Sequence, residues 1–183
     1  MIEGLYLITP QGAEEHILKT VSDGLLGGAR IVQFRDKQRS PDARVDLAHQ
    51  LVRLCKAAGA VLLVNDDPEL ALACYAHGVH LGQKDVSVHD ARRLLGADKL
   101  IGVSPRTVDQ ALKAEMAGAD YIGVGSIFPT SSKDDAQQVG IETLRKVRMA
   151  VKIPLVAIGG IDAMNGAEAI AAGNFDDILG TRH

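Results

Sequence analysis

Short apolar runs alternate with longer stretches whose apolar residues recur at helical spacing, and this alternation covers almost all 183 residues. Residues 5–8 predict a first strand. Ile17, Val21 and Leu25 predict a helix over 13–26, stopped by Gly27-Gly28. A strand over 31–34 precedes an amphipathic helix over 41–58, which carries Val45, Ala48, Leu51, Val52 and Cys55 on one face and stops at Gly59. The remaining predicted strands are 61–64, 78–81, 100–103, 121–124 and 155–158. The helices between and after them are 68–75, 88–95, 107–117, 141–151 and 165–172. A polar loop over 125–139 is the longest connection.

The strands are apolar on both faces, as buried parallel strands are. No composition break or linker divides the chain, so residues 1–183 are expected to form a single domain. Repeated βα units leave a (β/α)8 TIM barrel or an open doubly wound sheet. No G-x-G-x-x-G opens the first helix, and the polar clusters follow strands rather than precede them. Both observations favour the barrel, whose C-terminal strand ends carry function.

The eighth unit is the exception and is expected to be truncated or atypical. The only candidate strand, 175–180, contains Asp176 and Asp177, which place one charge on each face. A buried parallel strand tolerates that poorly. A barrel open at this point is expected, with the first and seventh strands exposing backbone edges, low stability and a weakened second phosphate site.

Composition narrows the function. A net charge of −3 argues against a broad nucleic-acid surface, and 3% aromatic residues argue against a base-stacking platform. No apolar run is long enough to span a bilayer, and the N-terminus does not resemble a signal peptide. Cys55 and Cys74 lack metal-ligand spacing and read as buried thiols of a reducing, cytoplasmic setting. The expected partners are small molecules, with neither nucleic acid nor membrane; assembly into a homo-oligomer stays open. The histidines form no zinc pattern, and His80, inside a strand, reads as a core histidine with one satisfied nitrogen.

The strand tips carry the chemistry. They offer Gln33, Arg35 and Lys37; Asn65 and Asp66; Gln83 and Asp85; Ser104; Thr130, Ser132 and Lys133; and Gly159 with Gly160. Each charged residue alone reads as a solvated loop end. Gathered on one face of a barrel, they suit a polyanion held by arginine and lysine. Asp66 and Asp85 would converge on one hard divalent cation from neighbouring strand ends. Asp67 reads instead as the cap of the helix that starts at Pro68. Gly159-Gly160 would admit a second phosphate to backbone N–H groups. No nucleophile–base pair stands out.

Eight segments in register resemble the thiamine phosphate synthase family, from about Gly4 to Gly173. They are Gly4-Leu5-Tyr6-Leu7-Ile8-Thr9, Val32-Gln33-Phe34-Arg35-Asp36-Lys37, Asn65-Asp66, Gly78-Val79-His80-Leu81-Gly82-Gln83-Lys84-Asp85, Ile101-Gly102-Val103-Ser104, Gly118-Ala119-Asp120-Tyr121-Ile122-Gly123-Val124-Gly125, Phe128-Pro129-Thr130 with Lys133, and Val156-Ala157-Ile158-Gly159-Gly160-Ile161. The resemblance implies a transferase of thiamine biosynthesis. It joins hydroxymethylpyrimidine diphosphate to thiazole phosphate, releases pyrophosphate and uses magnesium. It implies Mg²⁺ on Asp66 and Asp85, and the diphosphate on Arg35, Lys37, Asn65, Ser104 and Lys133. Gln33 would meet the pyrimidine, Thr130 and Ser132 the thiazole, and Gly160 its phosphate. Arg35, Ser104 and Lys133 would serve catalysis by meeting charge that grows on the leaving group.

Two features depart from the family pattern. Pro105-Arg106 follow Ser104 where the family usually carries a small residue and histidine, and the chain ends at Thr181-Arg182-His183 where the family continues. The competing readings are a thiazole tautomerase-like barrel, which lacks the metal pair, a non-catalytic phosphate-ligand binder, and a sugar-phosphate epimerase, which would need opposed bases at the strand tips.

Overall fold

Strand and helix alternate in the order β1 (Gly4–Ile8), α1 (Glu14–Leu26), β2 (Ala29–Phe34), α2 (Pro41–Ala57), β3 (Val61–Asn65), α3 (Pro68–Ala73), β4 (Gly78–Leu81) and α4 (Val88–Leu95). The chain continues through β5 (Leu100–Val103), α5 (Val108–Met116), β6 (Tyr121–Val124), α6 (Gly140–Ala150), β7 (Leu155–Ile158), α7 (Gly166–Gly173) and β8 (Ile178–Arg182). The computed structural model describes residues 2–130, 138–173 and 178–182, the last five through their backbone. Ser132 and Lys133 lie outside the described residues.

Alternation along each strand sorts the side chains into two layers. Tyr6, Ile8, Ile31, Leu63, Tyr121 and Val156 point into the barrel and pack together. Their neighbours Leu7, Val32, Leu62 and Val64 point outward against Ile17, Val21, Leu47 and Leu51 of the first two helices. On the opposite side, Ile122, Val124 and Leu155 pack against Leu144, Val147 and Ala169. Cys55 and Cys74 are buried free thiols, as their composition context suggested. Among the described residues, no helix is long and apolar enough to cross a membrane.

Helix starts follow the side chains that can satisfy free N–H groups. Asp67, Ser87 and Thr107 each accept a hydrogen bond from the backbone N–H three residues on, and so cap α3, α4 and α5. The expected role of Asp67 is therefore met, and its carboxylate also pairs with Arg44 at 3.0 Å.

The eighth strand corrects the expectation of an open barrel. β8 pairs in parallel with β1, from Gly4 opposite Ile178 to Ile8 opposite Arg182, and with β7 at Leu179 and Gly180. The sheet closes in the order β1 through β8. The strand expected over 175–180 is found among the described residues over Ile178–Arg182. β8 is described from Ile178 onward, and Asp176 and Asp177 lie outside the described residues. The backbone edges of β1 and β7 are paired.

Candidate active site

The C-terminal ends of β2, β3, β4 and β5 bring most of the expected polar residues together. Lys37, Asp66, Asp85, Ser104 and Arg106 line one cavity of about 400 Å³, with Gly123, Gly125 and Ser126 on its far wall. A second hollow, about 600 Å³, shares Lys37 and Asp66 and adds Asn65, Arg44 and Asp67. The two adjoin at the Asp66 carboxylate.

Asp66 owes its position to an unusual backbone. Its N–H still bonds to His80 O at 2.8 Å, continuing the ladder between β3 and β4. Its φ of 65° then turns the chain sharply, a left-handed conformation that aspartate adopts more readily than most residues. That turn aims the side chain across to the end of β4. There the Asp85 carboxylate closes its own loop, accepting from Gly82 N–H at 2.6 Å. A Cβ on residue 82 would lie 3.1 Å from that carboxylate oxygen.

Burial, a hydrogen bond with Asp85 and repulsion from its charge raise the pKa of Asp66, while Lys37 and Asn65 oppose the rise. Lys37 Nζ stands 3.6 Å from Asp66 Oδ2 and is largely in solvent. Two carboxylates on one cavity wall with one ammonium beside them form an under-neutralised oxygen donor set. Oxygen-only donors of this kind suit a hard divalent cation. Among the described residues, no third His, Cys, Asp or Glu joins them. A cation here would complete its shell with ligand oxygens and water, as Mg²⁺ commonly does.

Arg35 and Lys37 depend on a residue that sequence reasoning passed over. Asp36 is buried and accepts from the backbone N–H of Gln38 at 2.9 Å and of Arg39 at 3.0 Å, and also pairs with the Arg39 guanidinium. Burial pushes its pKa up, but these hydrogen bonds and the Arg39 charge hold the carboxyl below its usual value. The loop is pinned on its other side by Gln11, which donates to Arg35 O at 2.6 Å. Arg35 itself is half-buried and is not among the residues lining the cavity. The recoverable signal was a carboxylate followed two and three residues later by free N–H donors.

Gln33 lies beneath the cavity at 3% exposure and is hydrogen-bonded to Tyr6. Ser104 is at the cavity, with Gln83 Nε2 donating to its carbonyl at 3.0 Å. His80 corrects the expectation of one satisfied nitrogen: one ring nitrogen bonds Tyr121 and the other Ser104. Two glycines make room for this cluster. A Cβ at Gly102 would fall 2.0 Å from the Tyr121 ring, and one at Gly123 would fall 2.9 Å from the His80 ring. Glycine inside a strand signals such close approach.

Gly160 and Thr130 stand on the β6 and β7 side and are half-buried. A Cβ at Gly160 would meet Pro129 O at 2.5 Å, so this glycine lets the tip of β7 pass against the loop after β6. Neither residue lines the cavity that holds Asp66 and Asp85.

Comparison with known proteins points to one family. The sequence profile described as thiamine monophosphate synthase matches residues 5–175. A thiamine-phosphate synthase of Moorella thermoacetica is 47% identical over 172 residues, covering 92% of this chain and 82% of that protein. The bifunctional thiamine biosynthesis protein of Geobacter sulfurreducens is 44% identical over 173 residues, where the chain spans 94% of itself but 35% of the larger protein. Among solved structures, a thiamine phosphate pyrophosphorylase from Pyrococcus furiosus superposes with a TM-score of 0.87 at 36% identity, covering 98% of this chain and 85% of that one. An N-acetylmannosamine-6-phosphate 2-epimerase from Clostridium perfringens reaches 0.75 at 14% identity, a likeness of fold alone. The chain belongs to the thiamine monophosphate synthase family, whose members are transferases.

Proposed function

We propose that the chain joins hydroxymethylpyrimidine diphosphate to thiazole phosphate, forming thiamine phosphate and releasing pyrophosphate. The observation that carries this reading is the Asp66–Asp85 pair, set at adjacent strand ends in one cavity with Lys37 and Ser104. Such a donor set matches a magnesium diphosphate better than a carbonyl or a sugar hydroxyl.

Asp66 and Asp85 hold Mg²⁺, which when bound supplies positive charge to the diphosphate oxygens. Lys37 and Ser104 hold the same anion from the β2 and β5 sides, with Arg35 on the loop after β2 and Asn65 at the end of β3. Gln33 orients the pyrimidine below. The bond from the methylene carbon to the diphosphate oxygen breaks with its electron pair leaving on pyrophosphate, and the thiazole nitrogen then donates its pair to that carbon. Negative charge grows on the leaving oxygens during the step. Fixed donors aimed at those oxygens therefore lower the barrier. No side chain is needed as a general base. Thr130, Ser132 and Gly160 serve the thiazole phosphate, and Lys133 serves the diphosphate; Ser132 and Lys133 rest on the sequence resemblance.

The test is direct. The protein is incubated with both substrates, with and without Mg²⁺, and thiamine phosphate is measured. Product that depends on both substrates and on Mg²⁺ supports the assignment. Absence of product from folded protein at saturating substrate and metal would refute it.

A further inference from the structure

Five polar groups form one continuous hydrogen-bonded line through an otherwise apolar barrel. Gln33 Nε2 donates to Tyr6 Oη at 2.9 Å. Tyr6 Oη and Tyr121 Oη are 3.0 Å apart. Tyr121 Oη is 2.7 Å from His80 Nδ1, and His80 Nε2 is 2.7 Å from Ser104 Oγ. Both tyrosines are fully buried, Gln33 at one end of the line is 3% exposed, His80 is 4% exposed, and Ser104 at the other end lines the cavity wall. Burial pushes both phenols above their ordinary pKa, so each keeps its proton.

Four of the five, Gln33, Tyr6, Tyr121 and His80, are buried, which is unfavourable unless every one is satisfied. An apolar interior was available, since Ile31, Leu63 and Val156 fill the layer around Tyr6. Gly102 and Gly123 admit the two rings, since a Cβ at either would clash with them. The line is therefore a built feature.

Its donors and acceptors obey a strict order. A buried phenol can leave its single proton unpaired only at a cost, so with that proton engaged on the line each tyrosine donates to one neighbour and accepts from the other. A neutral imidazole likewise accepts at one nitrogen and donates at the other. The line thus has only two self-consistent directions. In the first, Gln33 donates to Tyr6, Tyr6 to Tyr121, and Tyr121 to His80 Nδ1. His80 Nε2–H then donates to Ser104, whose own proton turns toward the cavity. In the second, every bond reverses. Gln33 presents its carbonyl oxygen to Tyr6, and the Ser104 proton points inward at His80.

We propose that Tyr6, Tyr121 and His80 act as positioning residues, a relay that couples the amide orientation of Gln33 to the proton of Ser104. The inference rests on the reading above that Gln33 meets the ring and Ser104 the diphosphate. A diphosphate oxygen only accepts, so it selects the first direction. That direction leaves the Gln33 carbonyl oxygen for an N–H of the bound ring. A ring with a carbonyl at the same place calls for the flipped amide, which turns the Ser104 proton away from the anion. Ring and anion are then recognised as one unit, although neither touches the relay between them.

Nitrogen-15 NMR of the His80 ring tests the relay without any assay of turnover. The expected form is Nε2–H with an accepting Nδ1, unchanged when inorganic pyrophosphate and Mg²⁺ are added. Gln33→Glu replaces the donor with an acceptor and is expected to switch His80 to the Nδ1–H form. The second arm is calorimetric binding of inorganic pyrophosphate with Mg²⁺. Tyr6→Phe keeps the ring and breaks the line; it is expected to weaken binding about tenfold, the loss of one hydrogen bond to a charged group. In a Ser104→Ala background the same change is expected to have no further effect. Tyr6→Phe is also expected to narrow the preference for an aminopyrimidine diphosphate over its oxo analogue. A His80 tautomer unmoved by Gln33→Glu, or a Tyr6→Phe loss that adds fully to that of Ser104→Ala, overturns the relay. A tautomer that switches in a protein making no thiamine phosphate keeps the relay and removes the proposed reaction.

Discussion

Asp66 at the end of β3 and Asp85 beyond the end of β4 line one cavity, so two acidic groups from neighbouring strands share its wall and the Asp85 charge helps to raise the Asp66 pKa. Two like charges sharing a cavity wall favour a proton or a cation between them. Burial and then the Asp85 charge raise the Asp66 pKa. A raised carboxyl contributes stability that is present below its unfolded value and lost as pH rises through its folded value. The metal-free protein is therefore expected to lose stability relative to Asp66→Asn as pH rises through that window. Adding Mg²⁺ at neutral pH is expected to raise the melting temperature of the native protein but not of Asp66→Asn or Asp85→Asn. Thermal unfolding across pH, with and without metal, measures both. A metal response retained in both variants would show that the cation binds elsewhere.

Two adjacent aspartates are expected to behave differently. Asp67 caps α3 and pairs with Arg44, whereas Asp66 faces the cavity. Asp67→Ala is expected to cost about 1 kcal/mol of stability, typical of a lost cap. Turnover at saturating Mg²⁺ should change little. Asp66→Ala is expected to abolish the metal-dependent reaction and leave the fold intact. Urea denaturation beside a turnover assay separates the two.

Gly102 is expected to be intolerant of any side chain. The Cβ of alanine would lie 2.0 Å from the Tyr121 ring, inside a closed barrel with no free side to yield. Gly102→Ala is expected to lose about 3 kcal/mol, the upper range for overpacking. Pyrophosphate binding should fall with it, because Tyr121 cannot move without releasing His80. Denaturation and calorimetry on the same preparation read both effects.

Arg92 is expected to matter for stability alone. Its guanidinium donates to Lys99 O at 2.5 Å, Gly96 O at 3.1 Å and Gly118 O at 3.3 Å, and pairs with Asp120 at 2.7 Å. These partners lie in the loops that enter β5 and β6, at the opposite end of the barrel from the cavity. Arg92→Ala is expected to cost about 2 kcal/mol, a charge-assisted network at a half-exposed site. The Michaelis constants and turnover should remain those of the native protein.

The sequence by itself determined the order and kind of every strand and helix through α7. Apolar runs buried on both faces and helix stops at glycine are local signals, and the local signal agreed with the fold. It also determined which strand ends carry acid and which carry base, because the polar tips follow the strands directly. The eighth strand escaped because its register is set by backbone pairing with β1 and β7, which lie far away in sequence. The two aspartates beside it made the local pattern misleading. Tertiary structure alone decided that Asp66 turns with a positive φ to meet Asp85, and that the Asp36 carboxyl holds the loop carrying Arg35 and Lys37. It alone showed that Gln33, Tyr6, Tyr121, His80 and Ser104 form one line. Those residues come from β2, β1, β6, β4 and the end of β5, and no period along a chain records which side chains meet inside a closed barrel. Closure brings them within hydrogen-bond distance, and a hydrogen bond depends on that distance rather than on sequence separation.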